Sequence, residues 1–287
     1  MAVITVGNFD GVHIGHLRLI NRVREIAKRR GEKSIAVTFS KNSKSVLSGG
    51  VIKTLINNET KERMLLDAGI DEVVFIDFEK FSELSGEEFL KYLKKELSLS
   101  VFVSGEDFRF GKNASCGVNF LKEKAVEMGF SVDIVFFAEK DKISSSSIRS
   151  LIERGEVEKA AKLLGYRYFI EGNALGGKHL GRKLGFPTIN IYPDANVVFP
   201  KYGVYASDID VGGVRYTAVS NAGVRPTVEK ADKANIETYI LNKSVSVSGG
   251  RVVVFFKKFI RPEKKFDSPE DLSSRIAIDC QIAEKIV

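Results

Sequence analysis

Apolar residues in the first half of the chain fall into short blocks separated by longer amphipathic stretches. The block 2–6 (Ala-Val-Ile-Thr-Val) is short and nearly all apolar, the pattern of a strand buried on both faces. Similar blocks predict strands at 35–39, 73–78, 101–104 and 132–137. Between them, Leu17, Ile20, Val23 and Ala27 recur at helical spacing and stop near Gly31. Comparable stripes predict helices near 59–68, 86–97 and 117–129, and a further helix opens after the serine run 144–147. Strands alternating with helices predict a parallel sheet with helices on both faces. Residues 149–164 continue as helix up to Gly165.

Beyond that point the period changes. Strands are expected at 167–172, 188–192, 203–210, 214–220, 235–242 and 251–259, with Gly212-Gly213 and Gly249-Gly250 as hairpin turns. Several short strands with such turns predict a barrel or a sandwich. The end reads as a helix: Ser268 caps it, Pro269 opens it, Glu270 and Asp271 fill its first turn, and Leu272, Ile276, Cys280, Ala283 and Val287 form its apolar stripe. The change of pattern divides the chain into domains 1–157 and 158–287, joined by the helix. Ser40–Asn58 is rich in Ser, Lys, Gly and Asn and reads as a long loop, a lid or a connector.

Composition narrows the function classes. A length of 287 residues is long for one core, which agrees with two domains. No apolar run is long enough to span a membrane and the start has no signal-peptide pattern, so a cytoplasmic protein is expected. Two cysteines, Cys116 and Cys280, exclude a disulfide framework. A net charge of +7 suits anionic ligands, nucleotides or nucleic acid. All three histidines, His13, His16 and His179, lie in glycine-containing loops.

Those loops carry the candidate chemistry. Gly7-Asn-Phe-Asp-Gly-Val-His-Ile-Gly-His16 joins the first strand to the first helix, where free N–H groups and the helix dipole favour anions. The pair His13 and His16 lacks a third ligand for a metal but suits donation to phosphate oxygens during attack on ATP. Ser144–Ser147 with Arg149 could cap a helix or hold phosphate. Gly105–Gly111 follows a strand and carries Asp107 and Phe108. A planar ligand could stack there, or the aromatics could face the core. Residues 176–190 place Gly176, Gly177, Gly181 and Gly185 among Lys178, His179, Arg182 and Lys183, a backbone-and-cation cradle suited to polyphosphate or a surface turn. In the strand that follows, Thr188 and Asn190 share a face, and their oxygens suit Mg²⁺ arriving with phosphates.

The block Gly7–His16, followed by Gly105–Gly111 and Ile143–Arg149, resembles the nucleotidyltransferase motifs of bacterial bifunctional riboflavin kinase/FAD synthetases. Ser147 stands where that family usually has arginine, and Ser40–Ser43 replaces a Pro/His-containing loop. The second half is similar to the riboflavin kinase module of the same enzymes. It carries Gly181-Arg-Lys-Leu-Gly-Phe-Pro-Thr-Ile-Asn190, Lys201–Tyr205, Ser220-Asn-Ala-Gly-Val-Arg-Pro-Thr227, Ile236-Glu-Thr-Tyr239 and Arg261-Pro-Glu263, in family order.

The resemblance implies a Rossmann-like α/β nucleotidyltransferase domain and a small antiparallel barrel. It implies ATP contacts by Gly7, Asn8, Phe9, Gly15, His16, Ser145, Ser146 and Arg149 in the first domain, with His13 and His16 on the phosphates. In the second it implies ATP contacts by Gly177, Lys178, Gly181, Arg182, Thr188 and Asn190, Mg²⁺ on Thr188 and Asn190, and Glu237 as general base. Asp107, Phe108, Arg225 and Glu237 are the implied flavin contacts. The implied partners are riboflavin, FMN and ATP, with no nucleic acid, membrane or obligatory protein partner. Two other classes stay open on the residues: a nucleotidyltransferase with a phosphorylated small alcohol as acceptor, and a noncatalytic RNA- or flavin-binding protein.

Overall fold

The computed structural model describes residues 1–41, 50–137, 143–175, 185–225, 233–243, 245 and 250–286. They form two compact units, Met1–Ser145 and Ser146–Val287.

The first unit runs β1 (Ala2–Val6), α1 (Ile14–Arg30), β2 (Lys33–Phe39), α2 (Asn58–Asp67), β3 (Glu72–Ile76), α3 (Phe78–Phe81), α4 (Gly86–Glu96), β4 (Leu99–Gly105), α5 (Val118–Met128) and β5 (Ser131–Val135). The five strands are parallel in the order β3-β2-β1-β4-β5, as the alternating pattern predicts. β1 is the central strand, which is why all five of its residues are buried. The chain leaves β1 toward β2 on one side, while β4 lies on the other. Loops after such neighbouring strands diverge and open a crevice at the carboxyl edge of the sheet. The loop 7–13 leaves β1 at that edge. The predicted strand 73–78 stops at Ile76, because the Asp77 side chain accepts from the Glu79 amide and caps α3.

All but the first residue of α6 (Ser145–Glu153), and the whole of α7 (Val157–Leu164), open the second unit. The single helix expected over 149–164 is broken at Gly155, which takes φ +80°. Both helices pack within this unit: the Lys201 amide donates to the Ile152 carbonyl at 3.2 Å, and Val157 is fully buried.

Six strands follow: β6 (Phe169–Leu175), β7 (Thr188–Ile191), β8 (Gly203–Val211), β9 (Val214–Arg225), β10 (Lys233–Ile240) and β11 (Arg251–Arg261). They close a barrel in the order β10-β7-β6-β11-β8-β9, every pair antiparallel. Val252, Val254 and Phe256 alternate into its interior. A buried hydroxyl ladder, Ser207 to Ser220 to Thr238 at 2.8 Å per step, crosses three strands there. A one-residue slip of any of these strands would turn its hydroxyl to the outside, so the ladder helps fix the register.

Gly212 and Gly213 take φ +61° and +84° and form the expected hairpin between β8 and β9. Gly249 of the hairpin expected at Gly249-Gly250 lies outside the described residues, and the strands on either side of it are not neighbours: β10 lies between β7 and β9, whereas β11 lies between β6 and β8. The chain ends in α8 (Pro269–Glu284), capped by Ser268. α8 is tied to β11 by Arg261, which forks onto the buried Asp279 at 2.9 and 2.7 Å. No helix among the described residues is long and apolar enough to cross a membrane.

Candidate functional site

In the first unit the site is built around the N-terminus of α1. The His13 side chain caps this helix, Nδ1 accepting from the His16 amide at 3.4 Å. With Nδ1 used as an acceptor, the proton of a neutral His13 sits on Nε2, leaving that nitrogen as the donor. The two imidazoles stack with centroids 3.6 Å apart. Two positive charges at that spacing would repel by roughly 5 kcal/mol at an effective dielectric near 20. Burial already lowers the His13 pKa to about 4. Burial, then the charges of His13 and Lys61, also lower that of His16. Both rings are therefore neutral at pH 7. The Nδ1 atom of His16 is buried without a hydrogen-bond partner among the described residues.

The loop before them is held in an uncommon shape. Phe9 and Val12 have φ +46° and +35°, rare for residues with side chains, and both are buried. The Gly7 amide donates to Val37 and the Thr38 hydroxyl to the Asn8 carbonyl, at 3.0 and 3.1 Å. The Ser145 hydroxyl, at the end of the first unit, donates to the Asp10 carbonyl at 3.0 Å. Of the other residues expected to hold phosphate, Ser146 and Arg149 belong to the second unit, where Arg149 donates to the Ser146 hydroxyl at 2.9 Å. Phe108 packs half-buried against Phe102 and Phe110, the core-facing arrangement, and Asp107 is exposed.

The pH dependence of stability follows from His13. Its pKa is depressed in the folded state, so the unfolded chain binds more protons between about pH 6.5 and 4. Stability is complete above about pH 6.5 and falls as the pH drops through that window. Lowering the pH to 5 is expected to cost the first unit about 2 kcal/mol from His13 alone. Denaturant midpoints of wild type and His13→Asn at pH 7 and 5 check this. An equal acid loss in both proteins would clear the histidine.

In the second unit the register assembles a site from distant segments. Glu237 on β10 lies opposite Asn190 of β7 on one side and Asn221 of β9 on the other. Thr188 pairs with Tyr239, so Thr188, Asn190, Glu237 and Tyr239 share the outer face of the barrel wall. Ile236, Thr238 and Ile240 point inward and are buried. Asn235 donates one amide nitrogen toward both Asn190 Oδ1 and Glu237 Oε1, at 3.4 and 3.3 Å. That leaves a hydroxyl, an amide oxygen and a carboxylate together on one face. This hard-oxygen set fits Mg²⁺, but with only one carboxylate it suits a metal delivered by phosphates. Gly177, Lys178, Gly181 and Arg182 lie outside the described residues, and of Arg225 only the backbone is described.

A protein-family model for FAD synthetase matches residues 1–148, and one for riboflavin kinase matches 164–287. The chain is 34% identical over 284 residues to the bifunctional riboflavin kinase/FMN adenylyltransferase of Listeria monocytogenes, covering 97% of this chain and 90% of that one. The chain belongs to this family. It is also 32% identical to the enzyme of that name from Bacillus subtilis, over 98% of this chain and 91% of that one. Among solved structures it is similar to one from Streptococcus pneumoniae titled a macrolide-efflux protein. The TM-score is 0.89 at 29% identity, with 99% and 94% of the two chains covered. That likeness is one of fold.

The first unit is thus the FAD synthetase domain and the barrel the riboflavin kinase domain. The riboflavin kinase domain contains two polar residues to which the sequence gives no role. Asn221 donates to Glu263 Oε1 at 3.0 Å, while its own Oδ1 is buried without a partner among the described residues. A Cβ on Gly223 would collide with the Glu263 carboxylate, so the glycine makes room for it. A carboxylate only accepts, so Glu263 fixes the amide with its nitrogen toward the carboxylate and its oxygen away from it. The motifs Ser220–Thr227 and Arg261–Glu263 contain both residues. Only the three-dimensional fold shows that they meet beside Glu237. In the FAD synthetase domain the residue overlooked is Lys61, a buried lysine of α2.

Proposed function

We propose that the chain makes FAD in two ATP-dependent steps, one in each unit. In the barrel, the 5′-hydroxyl oxygen of riboflavin attacks the γ-phosphorus of ATP. The bond between that phosphorus and the β-bridging oxygen breaks, giving FMN and ADP. Glu237 takes the hydroxyl proton, and Thr188 and Asn190 present oxygens to the metal–nucleotide complex. In the first unit a phosphate oxygen of FMN attacks the α-phosphorus of a second ATP, giving FAD and pyrophosphate. The neutral His13, its Nε2–H aimed by the helix cap, donates to phosphate oxygens as charge develops. Ser145, Ser146 and Arg149 add polar and cationic contacts. Mg²⁺ supplies charge neutralisation when it arrives with ATP. Both steps are mainly positioning and electrostatics. We place them in the cytoplasm, with small molecules as the only required partners.

The observation that carries this reading is the strand register that sets Glu237 directly opposite Asn190, two positions from Thr188. Incubation of the protein with riboflavin and Mg-ATP, followed by separation of flavins and nucleotides, tests it. FMN and ADP should appear first, then FAD and pyrophosphate. Unchanged riboflavin would refute it.

The division of labour gives a further expectation. A fragment 146–287 retains α6 and α7 and should make FMN but no FAD. Cutting at 158 instead removes Val157, which is fully buried. Folded 146–287 that phosphorylates riboflavin only when 1–145 is added would show that the units are not independent.

A further inference from the structure

Beneath the Gly7–His16 loop lies a buried cation to which the proposed steps give no task. Lys61 is 6% exposed. Lysines are almost never buried to this degree unless paired. Its ammonium donates to the Phe39 carbonyl at 3.0 Å and to the Asn8 carbonyl at 3.4 Å. It also lies 5.1 Å from the centre of the Phe75 ring. The charged and titratable groups facing it are Asp10 from the loop and His16 from α1. Asp10 is itself buried, with Oδ1 accepting from the Leu55 amide at 2.7 Å.

These contacts converge on one peptide. The Asn8 carbonyl receives both the Thr38 hydroxyl and the Lys61 ammonium, immediately before Phe9 with its positive φ. A strained backbone persists only where its surroundings over-determine it, and such strain collects at functional loops. Phe39 ends β2, the strand beside β1, so the same ammonium ties the exits of two neighbouring strands together.

We propose that Lys61 is a positioning residue for adenylyl transfer: its ammonium, acting through the Asn8 and Phe39 carbonyls, holds the Gly7–Val12 turn in the shape that presents this loop and His13 to the nucleotide. The inference rests on the reading that residues 7–16 receive ATP. Lys61 touches backbone rather than substrate, so its effect passes through the loop.

A purely structural lysine predicts a different pH response. Burial lowers the Lys61 pKa to about 8, with Asp10 working in the opposite direction. Between about pH 8 and the ordinary lysine value near 10.4, the unfolded chain keeps a proton that the folded chain has released. The contribution of Lys61 to stability therefore rises with pH across this window, as the cost of burying charge is relieved. Positioning by the ammonium makes adenylylation fall in the same window.

The test uses full-length protein, reading kcat/KM for ATP in FMN adenylylation from pH 6 to 9.5, with riboflavin phosphorylation as the internal control. Wild type should lose adenylylation about tenfold per pH unit above about 8. Lys61→Arg should move that limb upward, because guanidinium stays charged. Lys61→Met should be about 10- to 100-fold slower at pH 7, with no limb near 8 and an unchanged kinase step. A Lys61→Met rate within threefold of wild type, or a limb that survives in it, overturns the proposal. If Lys61→Met does not fold, the wild-type profile decides: no fall near pH 8 overturns it. Adenylylation at the wild-type rate in both His13→Ala and His16→Ala would instead refute the loop reading on which the proposal rests.

Discussion

Glu237→Gln is expected to slow phosphoryl transfer to riboflavin by about 10²–10⁴-fold, the usual worth of a positioned general base. FMN adenylylation should be untouched. The acceptor is a primary alcohol, a poor nucleophile unless its proton is drawn away as the new bond forms. The carboxylate stands on the outer barrel face, between Asn190 and Asn221, with Asn235 donating to its Oε1 at 3.3 Å. A glutamine amide can offer its oxygen to the same Asn235 donor, so shape and hydrogen bonding survive and basicity alone is lost. The site is half-buried and on a strand face, so stability should change by no more than about 0.5 kcal/mol. A second carboxylate, Glu263, is engaged by Asn221, the residue opposite Glu237 on β9, at 3.0 Å, and Glu263→Gln should cost less than tenfold. Single-turnover transfer at saturating riboflavin and ATP separates the two. A Glu237→Gln rate within about threefold of wild type would make Glu237 a solvated strand residue, and a larger loss in Glu263→Gln would move the base to that position.

The fold was legible where burial leaves a periodic trace. β1 is buried on both faces and reads as apolar; α1 exposes one face and reads at helical spacing up to the left-handed Gly31. The two faces of β10 were legible for the same reason, because period-two alternation separates Ile236, Thr238 and Ile240 from Asn235, Glu237 and Tyr239. Strand order was not legible. Alternation says which face is buried but not which strand lies beside it, so Gly249-Gly250 resembles a hairpin between strands that are not neighbours. For the same reason, nothing in 220–227 or 261–263 announces that Asn221 and Glu263 touch. Lys61 left one trace: it lies four residues before the buried Leu65, on the same stripe of α2. A lysine there is ordinarily read as a solvated edge of the stripe, because long side chains can carry their charge out to water. Its paired carbonyls belong to β2 and to the first loop, and no local pattern encodes them. The role of His13 as a helix cap was hidden too, since residue preferences at that position favour Ser, Thr, Asp and Asn.

That cap shapes the second large expectation. His13→Ala and His16→Ala should each reduce FAD formation by about 10²–10³-fold and spare FMN formation, the loss typical of one preorganised donor to developing charge. Alanine at 13 also removes the acceptor for the His16 amide, which by itself costs about 1 kcal/mol of helix stability. His13→Asn is the sharper variant. Asparagine is a preferred cap and keeps α1 in place, yet it cannot reach with an Nε2–H. If His13 only caps the helix, asparagine restores activity that alanine loses. If it donates to the nucleotide, both variants stay slow. The pH profile adds a second discriminator. With the His13 pKa near 4 and that of His16 also lowered, neither imidazole titrates near neutrality in the free enzyme. Because kcat/KM reports free-enzyme ionisations, these histidines should leave it level around neutrality, until Lys61 loses its proton near 8. A charged imidazolium donor would instead make the rate decline through about pH 6.5. Such a decline, or asparagine at 13 restoring the wild-type rate, would remove the neutral imidazole donor from the adenylylation step.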